Sequence, residues 1–325
     1  MELLSSVWLG SPLWMWLSFL GIVIALLALD LGVLHRNERE IGVRESLAMS
    51  AFYITLGLCF GGWVWWYMGE VAGMNYLTGF VIEKSLAMDN VFVIAMIFAY
   101  FGIPRLYQHR VLFWGILGVI VLRAIMIGFG AAIVEEWSWV LYIFAAFLIF
   151  TGVKMWTSAD TPYDVGSSRI LHWVRRRLRV TDELHGQSFW VVKRDEKTGR
   201  IARFATPLFL ALVMIEFVDV IFAVDSIPAI FAITTDPFIV YTSNIFAVLG
   251  LRALYFALAA MVDRFHYLKY ALSVLLVFIG SKIFVADALG LAKIPPAVSL
   301  GITFAILATG VGWSLWKTRD TPLPT

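Results

Sequence analysis

One cysteine, Cys59, stands in 325 residues, which excludes a disulfide framework and a thiolate site of the zinc or copper kind. Histidine is scarce too, at five residues, and none falls near the acidic motifs described below. Charge is thin: Asp, Glu, Lys and Arg make up 15% of the chain against 61% hydrophobic residues. Soluble domains carry about a quarter charged and half apolar residues, so a water-soluble protein is excluded. The net charge is only +2, and its basic residues sit in a few connecting segments, which removes a nucleic-acid partner from consideration. There is no nucleotide-binding glycine loop and no nucleophile with an adjacent base, so no enzyme signature is present and no bound organic cofactor is expected.

What the chain has is apolar length, with a mean hydropathy of +0.84. A spanning helix needs about 20 mainly apolar residues, and about nine stretches qualify. They lie near residues 13–34, 50–69, 75–101, 110–134, 137–156, 204–232, 238–262, 268–288 and 295–316. The first follows an N-terminus containing Glu2 and no Lys or Arg and is too long for a signal-peptide core, so it reads as a retained helix. Connecting segments that begin at His35, Gly102, Thr157, Asp263 and Lys317 contain Arg36, Arg39, Arg44, Arg105, Arg110, Arg264, Lys269 and Arg319. Those around Glu70, Glu135, Asp236 and Asp287 hold almost none except Lys293. Basic loops stay inside, so the N-terminus is expected outside and the C-terminus in the cytoplasm. Trp63, Trp65, Trp66, Trp137 and Trp139 cluster near the outer ends and read as interface anchors.

The expected fold class is all-α, a polytopic transmembrane helical bundle in the lipid bilayer. Residues 1–74 supply two N-terminal spans, 75–156 a first three-helix unit, 157–203 a basic cytoplasmic loop, 204–290 a second three-helix unit, and 291–325 a last span and tail. Within the loop, Arg175, Arg176, Arg177 and Arg179 lie on an amphipathic segment, and FWVVKRDEKTGRIARF reads as two short strands around a Lys-Thr-Gly turn. The arginines read as an orientation signal with a solvated face, with anionic-lipid binding the competing reading.

The two three-helix units repeat. Placing Asp89 against Asp225 aligns EKSLAMDNVFVIAMIFA with DVIFAVDSIPAIFAITT, pairing Glu83 with Asp219 and Asn90 with Ser226. Carried forward with an allowance in the following loop, Leu122-Arg123-Ala124 meets Leu251-Arg252-Ala253, and Gly152-Val153-Lys154 meets Gly280-Ser281-Lys282. Each unit has an odd number of spans, so the second enters from the opposite side: an inverted repeat, the architecture of secondary transporters with a site near the midplane.

A charge at the centre of a span costs on the order of 3 kcal/mol, yet Glu83, Asp89, Glu216, Asp219 and Asp225 lie within the third and sixth spans. Asn90 and Ser226 add neutral oxygens beside them, and such oxygens are ligands of magnesium, calcium and manganese. The set is therefore expected to hold a hard divalent cation, with Arg123, Arg252 and Lys84 available to compensate charge. The competing reading pairs each acid with one of those bases. At about 100° per residue, Asp225 points roughly 180° from Glu216 and Asp219 about 60° from it, so one straight helix cannot aim all three at one ion. Pro228 removes a helix hydrogen bond at Val224 and is expected to break the helix there. In the first motif, Glu83 and Asn90 share a helix face.

Five ionised carboxylates exceed Arg123, Arg252 and one divalent cation by one charge, so at least one acid is expected to hold a proton when no metal is present. Exchange of metal for protons follows. Moving two charges outward against the membrane potential costs about 4.6 kcal/mol per 100 mV, which proton entry offsets. Asp30, near the inner end of the first span, is read with equal weight as part of the ion path or as a helix-end residue. Met88 reads as packing, with a soft metal contact as the alternative.

At EKSLAMDNVFV and EFVDVIFAVDSIPAIFAITTDPFIVYTSNIFAVLGLRALYF the sequence strongly resembles the TerC family of integral membrane proteins, and its Alx branch, from about Leu20 to Trp316. The resemblance implies a bacterial inner-membrane protein linked to manganese homeostasis, exporting manganese as its transported substrate, with acids at the positions of Glu83, Asp89, Glu216, Asp219 and Asp225. Phe217 departs from the second motif with an apolar change only. Two other functions fit the same carboxylates: a metal-delivery or assembly factor for secreted or membrane proteins, and a proton or sodium antiporter for alkaline stress.

Overall fold

The computed structural model describes residues 6–29, 42–157, 165–166, 168–195, 199–258, 267–290 and 294–318, the side chains of Val43 and Asp89 excepted. Asp30, Arg36, Arg39, Arg264, Lys293 and Arg319 lie outside the described residues, as do Lys197 and Thr198 of the expected turn.

The chain opens on an antiparallel pair, β1 (Val7–Trp8) and β2 (Ser11–Pro12), which the sequence reading did not foresee. Then come α1 (Leu13–Leu29), α2 (Val43–Met68), α3 (Glu70–Tyr100), α4 (Arg105–Glu136) and α5 (Val140–Thr157). The long connection holds α6 (Arg169–Arg177) and a hairpin of β3 (Trp190–Arg194) and β4 (Ile201–Ala205), antiparallel with Trp190 opposite Ala205. The second half is α7 (Pro207–Phe231), α8 (Pro237–Leu249), α9 (Leu251–Leu258), α10 (Leu268–Ala288) and α11 (Pro296–Lys317).

These are the helices that the apolar runs require. Seven helical stretches, one of them α8 and α9 together, are long and apolar enough to cross a membrane. The remaining two expected spans are α1, at 17 residues, and α3, whose 31 residues include Glu70, Glu83, Lys84 and Asp89. Local signals set the joints. Gly69, at φ 95°, joins α2 to α3 in a conformation that only glycine adopts cheaply. Asp236 caps α8, accepting from the backbone N–H groups of Phe238 at 2.9 Å and Ile239 at 3.3 Å, with Pro237 at the first helical position.

Short connections make neighbouring helices antiparallel. Thus α3 starts at the end of the bundle holding β1 and β2, while α7 starts at the end holding α6. At the centre is α8, buried on all sides from Phe238 to Leu249 apart from Tyr241. Trp66, Trp137 and Trp139 are exposed, as interface anchors are. On α6, Leu171 and Val174 are buried in the core formed with α3, α4 and α7, and Arg175, Arg176 and Arg177 are exposed.

The repeat is visible in how α5 packs on α10. A methyl group on Gly152 would come within 2.8 Å of the Ser273 carbonyl oxygen and 2.7 Å of Val277. One on Gly280 would come within 2.5 Å of the Ala145 carbonyl oxygen and 2.9 Å of Ile149. The spacing that relates Gly152 to Gly280 also relates Ala145 to Ser273 and Ile149 to Val277, so each contact is the twofold counterpart of the other. Contact partners run in opposite directions along the two helices, as an inverted repeat demands. Glycines permit this approach of backbones, which drives helix association in membranes by close packing.

Gly280→Val therefore forces α5 and α10 apart, at about 1–3 kcal/mol. Thermal unfolding of the detergent-solubilised protein should shift down for this variant and much less for Gly301→Val, where an added Cβ meets nothing within 4 Å.

Candidate functional site

Arg123 of α4 lies at the bundle centre, 1% exposed. A guanidinium in that position needs its donors satisfied, since an unpaired buried charge costs several kcal/mol. Its Nε and Nη2 donate to Asp219 Oδ2 at 3.2 Å and Oδ1 at 3.0 Å, a bidentate pair. Its Nη1 donates to Glu83 Oε1 and, at 3.0 Å, to Asn244 Oδ1. One side chain thus joins α3, α4, α7 and α8, and the repeat-related carboxylates Glu83 and Asp219 share it.

Beside this cluster is a cavity of about 20 Å³, lined by Glu83 and Asn90 of α3, Arg123, and Asp225 and Ser226 of α7. Phe222, Met155 and Leu276 form apolar walls. The volume suits one water molecule or one ion. Asn90 Oδ1 and Ser226 Oγ are buried and have no hydrogen-bond partner among the described residues. Asp225 Oδ1 accepts from Thr151 Oγ1 of α5 at 3.2 Å, and Lys154, one turn further along α5, is within electrostatic range of the carboxylate. Polar groups from both repeats therefore converge, as the alignment of Asn90 with Ser226 anticipated. Glu83 and Asn90 do share a face.

Glu216 is apart from this set. It lies on α7 with its carboxylate against Gly118 of α4, where any side chain larger than hydrogen would collide with it. Its Oε2 has no partner among the described residues. Asp89 is on α3 next to Asn90, and its side chain lies outside the described set. Arg252 is buried on α9. Met88 is partly buried against the cluster of α5, α7, α10 and α11 side chains, which is the packing role.

Three expectations are corrected. Among the described residues, the side chain of Asp89 being outside them, no three of His, Cys, Asp or Glu are placed to hold a metal together. The reason is that Glu83 and Asp219 are committed to Arg123, and Glu216 lies against Gly118 further along α4. Second, α7 does not break at Pro228 but continues to Phe231. Pro228 has no N–H to give the Val224 carbonyl, and the helix runs on through that missing bond. Third, among the described residues Lys84 pairs with no acid. Its ammonium donates to the Ala247 carbonyl at 3.0 Å, at the C-terminal end of α8. Gly250 lies there between α8 and α9, and a Cβ on it would sit 2.7 Å from Lys84 Nζ. The cation takes a carbonyl left over at the helix end and complements the helix dipole. The interrupted span is thus 237–258.

Asn244, Thr151 and Gly118 are site residues that sequence reading missed. Asn244 had a signal: it closes a Thr242-Ser243-Asn244 triplet, fully buried, inside an otherwise apolar span. Thr151 and Gly118 had none, because hydroxyls and glycines are common in spanning helices.

The profile of the Integral membrane protein TerC family matches residues 68–322. The chain is 46% identical over 322 residues to an uncharacterized membrane protein of Myxococcus xanthus, covering 99% of this chain and 97% of that one. It is 48% identical over 307 residues to Alx of Escherichia coli strain K12, whose name offers it as a membrane-bound redox modulator, covering 92% of each chain. A relative from Salmonella typhi under the same name is 46% identical over 316 residues, covering 94% of this chain and 95% of the other. No solved structure matches.

Replacing Arg123 by Met strands two buried carboxylates and should cost about 3–5 kcal/mol. Arg123→Lys cannot restore the forked geometry and should recover little. The yield of monodisperse protein in detergent and its melting temperature should fall in both, and rise again when Glu83→Gln and Asp219→Asn are added to Arg123→Met.

Proposed function

The chain belongs to the TerC family of integral membrane proteins, and on that premise we propose that it is a secondary transporter exporting manganese(II) from the cytoplasm in exchange for protons. The observation that carries this reading is the pair of buried oxygens without partners, Asn90 Oδ1 and Ser226 Oγ, one from each repeat, at the cavity shared with Asp225 and Glu83. Carboxylate, amide and hydroxyl oxygens form the donor set of a hard divalent cation. The choice of manganese among such cations rests on the family resemblance.

A cation in this cavity meets Asp225, Asn90 and Ser226, and competes with Arg123 for Glu83. Loading is therefore coupled to the contacts that hold four helices together. Asp89, the repeat counterpart of Asp225, is the remaining candidate ligand, and Glu216 a candidate proton carrier on the far face of α7. The basic segments orient the bundle with its α6 end in the cytoplasm of a bacterial inner membrane. The name carried by the Escherichia coli relative raises thiol chemistry as an alternative, but a single cysteine, Cys59, cannot form a dithiol couple within the chain. No catalytic role is assigned.

After a manganese shock, cells carrying Asp225→Asn or Asp89→Asn should retain the metal that wild-type cells expel. Ser226→Ala, lacking one neutral oxygen worth about 1 kcal/mol, should slow efflux about fivefold. Equal retention in all strains would sink the export reading. Normal export together with lost activity of secreted metalloenzymes would favour delivery.

In inverted vesicles an acidic lumen should accelerate manganese uptake, because protons then leave as metal enters. Insensitivity to the gradient removes proton exchange and leaves export standing.

A further inference from the structure

A second cavity, of about 490 Å³, lies at the β1–β2 end of the bundle. Its lining includes helix termini at that end, Val71 of α3, Ser138 before α5 and Pro295 before α11. Its walls also carry Asn75, Lys282 and Asp287.

Four helices line both this cavity and the acidic one: α5 does so near its opposite ends, at Tyr142 and Met155, and α3, α7 and α10 do so over a short stretch and in a consistent order. On α3, Thr78 faces the large cavity and Glu83 the small one. On α7 the corresponding residues are Phe231 and Ser226, and on α10 Lys282 and Leu276. Five or six residues separate the members of each of these last three pairs, about 7–9 Å along a helix. Because α3 runs away from the β1–β2 end and α7 and α10 run towards it, all three pairs stack the large cavity directly over the acidic one. The intervening positions include Ile82, Ala229 and Ile279, all buried in one apolar cluster. They amount to a single layer of side chains.

The opposite side is closed more deeply. Ile94, Ile97 and Phe98 of α3 and Leu208, Ala211 and Met214 of α7 form an apolar core that reaches the end of the bundle. Leu171 and Val174 of α6 cover it from below. On α3, α7 and α10 a single layer of side chains therefore parts the acidic cavity from the large one, whereas the α6 side holds this longer core, within it a cavity of about 20 Å³ lined by Asn90, Ile94 and Asp219.

We propose that the large cavity is the outer vestibule of the ion path, where a divalent cation released from the acidic site regains its water, and that Ile82, Ala229 and Ile279 are the gate between them. This rests on the export reading above. Apolar constrictions gate by excluding water, and an exit site must bind weakly enough for the ion to leave. The vestibule meets the second requirement, since the amide of Asn75 and the carboxylate of Asp287 offer oxygens, while the ammonium of Lys282, which donates to Ser299 Oγ at 3.4 Å, opposes lasting occupancy.

Replacing the one native cysteine gives a clean background for a sided test. In Cys59→Ala, cysteine is introduced as Asn75→Cys, Ile283→Cys or Ile94→Cys, the first two at the vestibule and the third in the apolar core on the α6 side. A membrane-impermeant methanethiosulfonate is applied from the outer face of right-side-out vesicles preloaded with manganese. Asn75→Cys and Ile283→Cys should be modified rapidly, and their manganese efflux should drop at least fivefold and return on reduction, while Ile94→Cys stays unmodified. Two vestibule positions are used so that poor folding of one variant leaves the other to decide. Absence of modification at both from the outer face, or full efflux after complete modification, overturns the vestibule. Failure of export itself is read separately from Asp225→Asn: efflux equal to wild type there defeats the export reading whatever the labelling shows.

Discussion

A guanidinium sealed inside the bundle sets the terms for everything around it. Arg123 is 1% exposed, so its donors must find acceptors within the bundle. It finds Glu83 on α3, Asp219 on α7 and Asn244 on α8. The two carboxylates are repeat counterparts, so the pseudo-twofold relation of the halves ends in one shared cation. That fixes which acids are structural in this conformation and which remain: Asp225 at the small cavity, Glu216 against α4, and Asp89 on α3.

Much of the fold was legible because bilayer physics is severe. Apolar runs long enough to span, basic residues in alternate connections and an odd number of helices per repeat leave few arrangements, and the helices fall where the runs lie. The β3–β4 hairpin was readable from its alternation and its glycine turn. The N-terminal β1–β2 pair was not, being two residues on each side. The acidic residues themselves were legible, since ionisable groups in spans are rare enough to stand out. Their partners were not, because an Arg on one helix and an acid on another carry no mark of their meeting. Glu83, Asp219 and Arg123 were each named, yet whether the arginine or a metal would hold the two acids depended on packing alone.

The helix interruption shows the same limit from another side. Pro228 is a strong local signal, yet the turn before it, from Val224, keeps its helical course without the bond that the proline cannot make. Gly250 is a weaker signal with a larger effect, because the space left by its missing side chain is filled by Lys84, whose ammonium takes over the Ala247 carbonyl. The repeat counterpart of Gly250 is Val121, inside the unbroken α4. The halves thus share sequence while differing in continuity: one presents the arginine on a rigid helix, the other supplies Asn244 on a helix that stops a turn and a half later.

That asymmetry bears on how a site with too many negative charges can work. A cation that reaches Asp225, Asn90 and Ser226 also draws on Glu83, and whatever Glu83 gives to the metal it withdraws from Arg123. The guanidinium still has Asp219, bound through two of its nitrogens, so it need not leave the core when Glu83 is shared. What slackens is the link from α3 to α4, while α4 stays tied to α7. Loading would then loosen the first helix of one repeat from that repeat's own second helix, while the Arg123–Asp219 pair goes on tying the two repeats together. Two oxygens of one carboxylate, contested by a fixed arginine and a mobile ion, are sufficient to connect charge binding to helix motion.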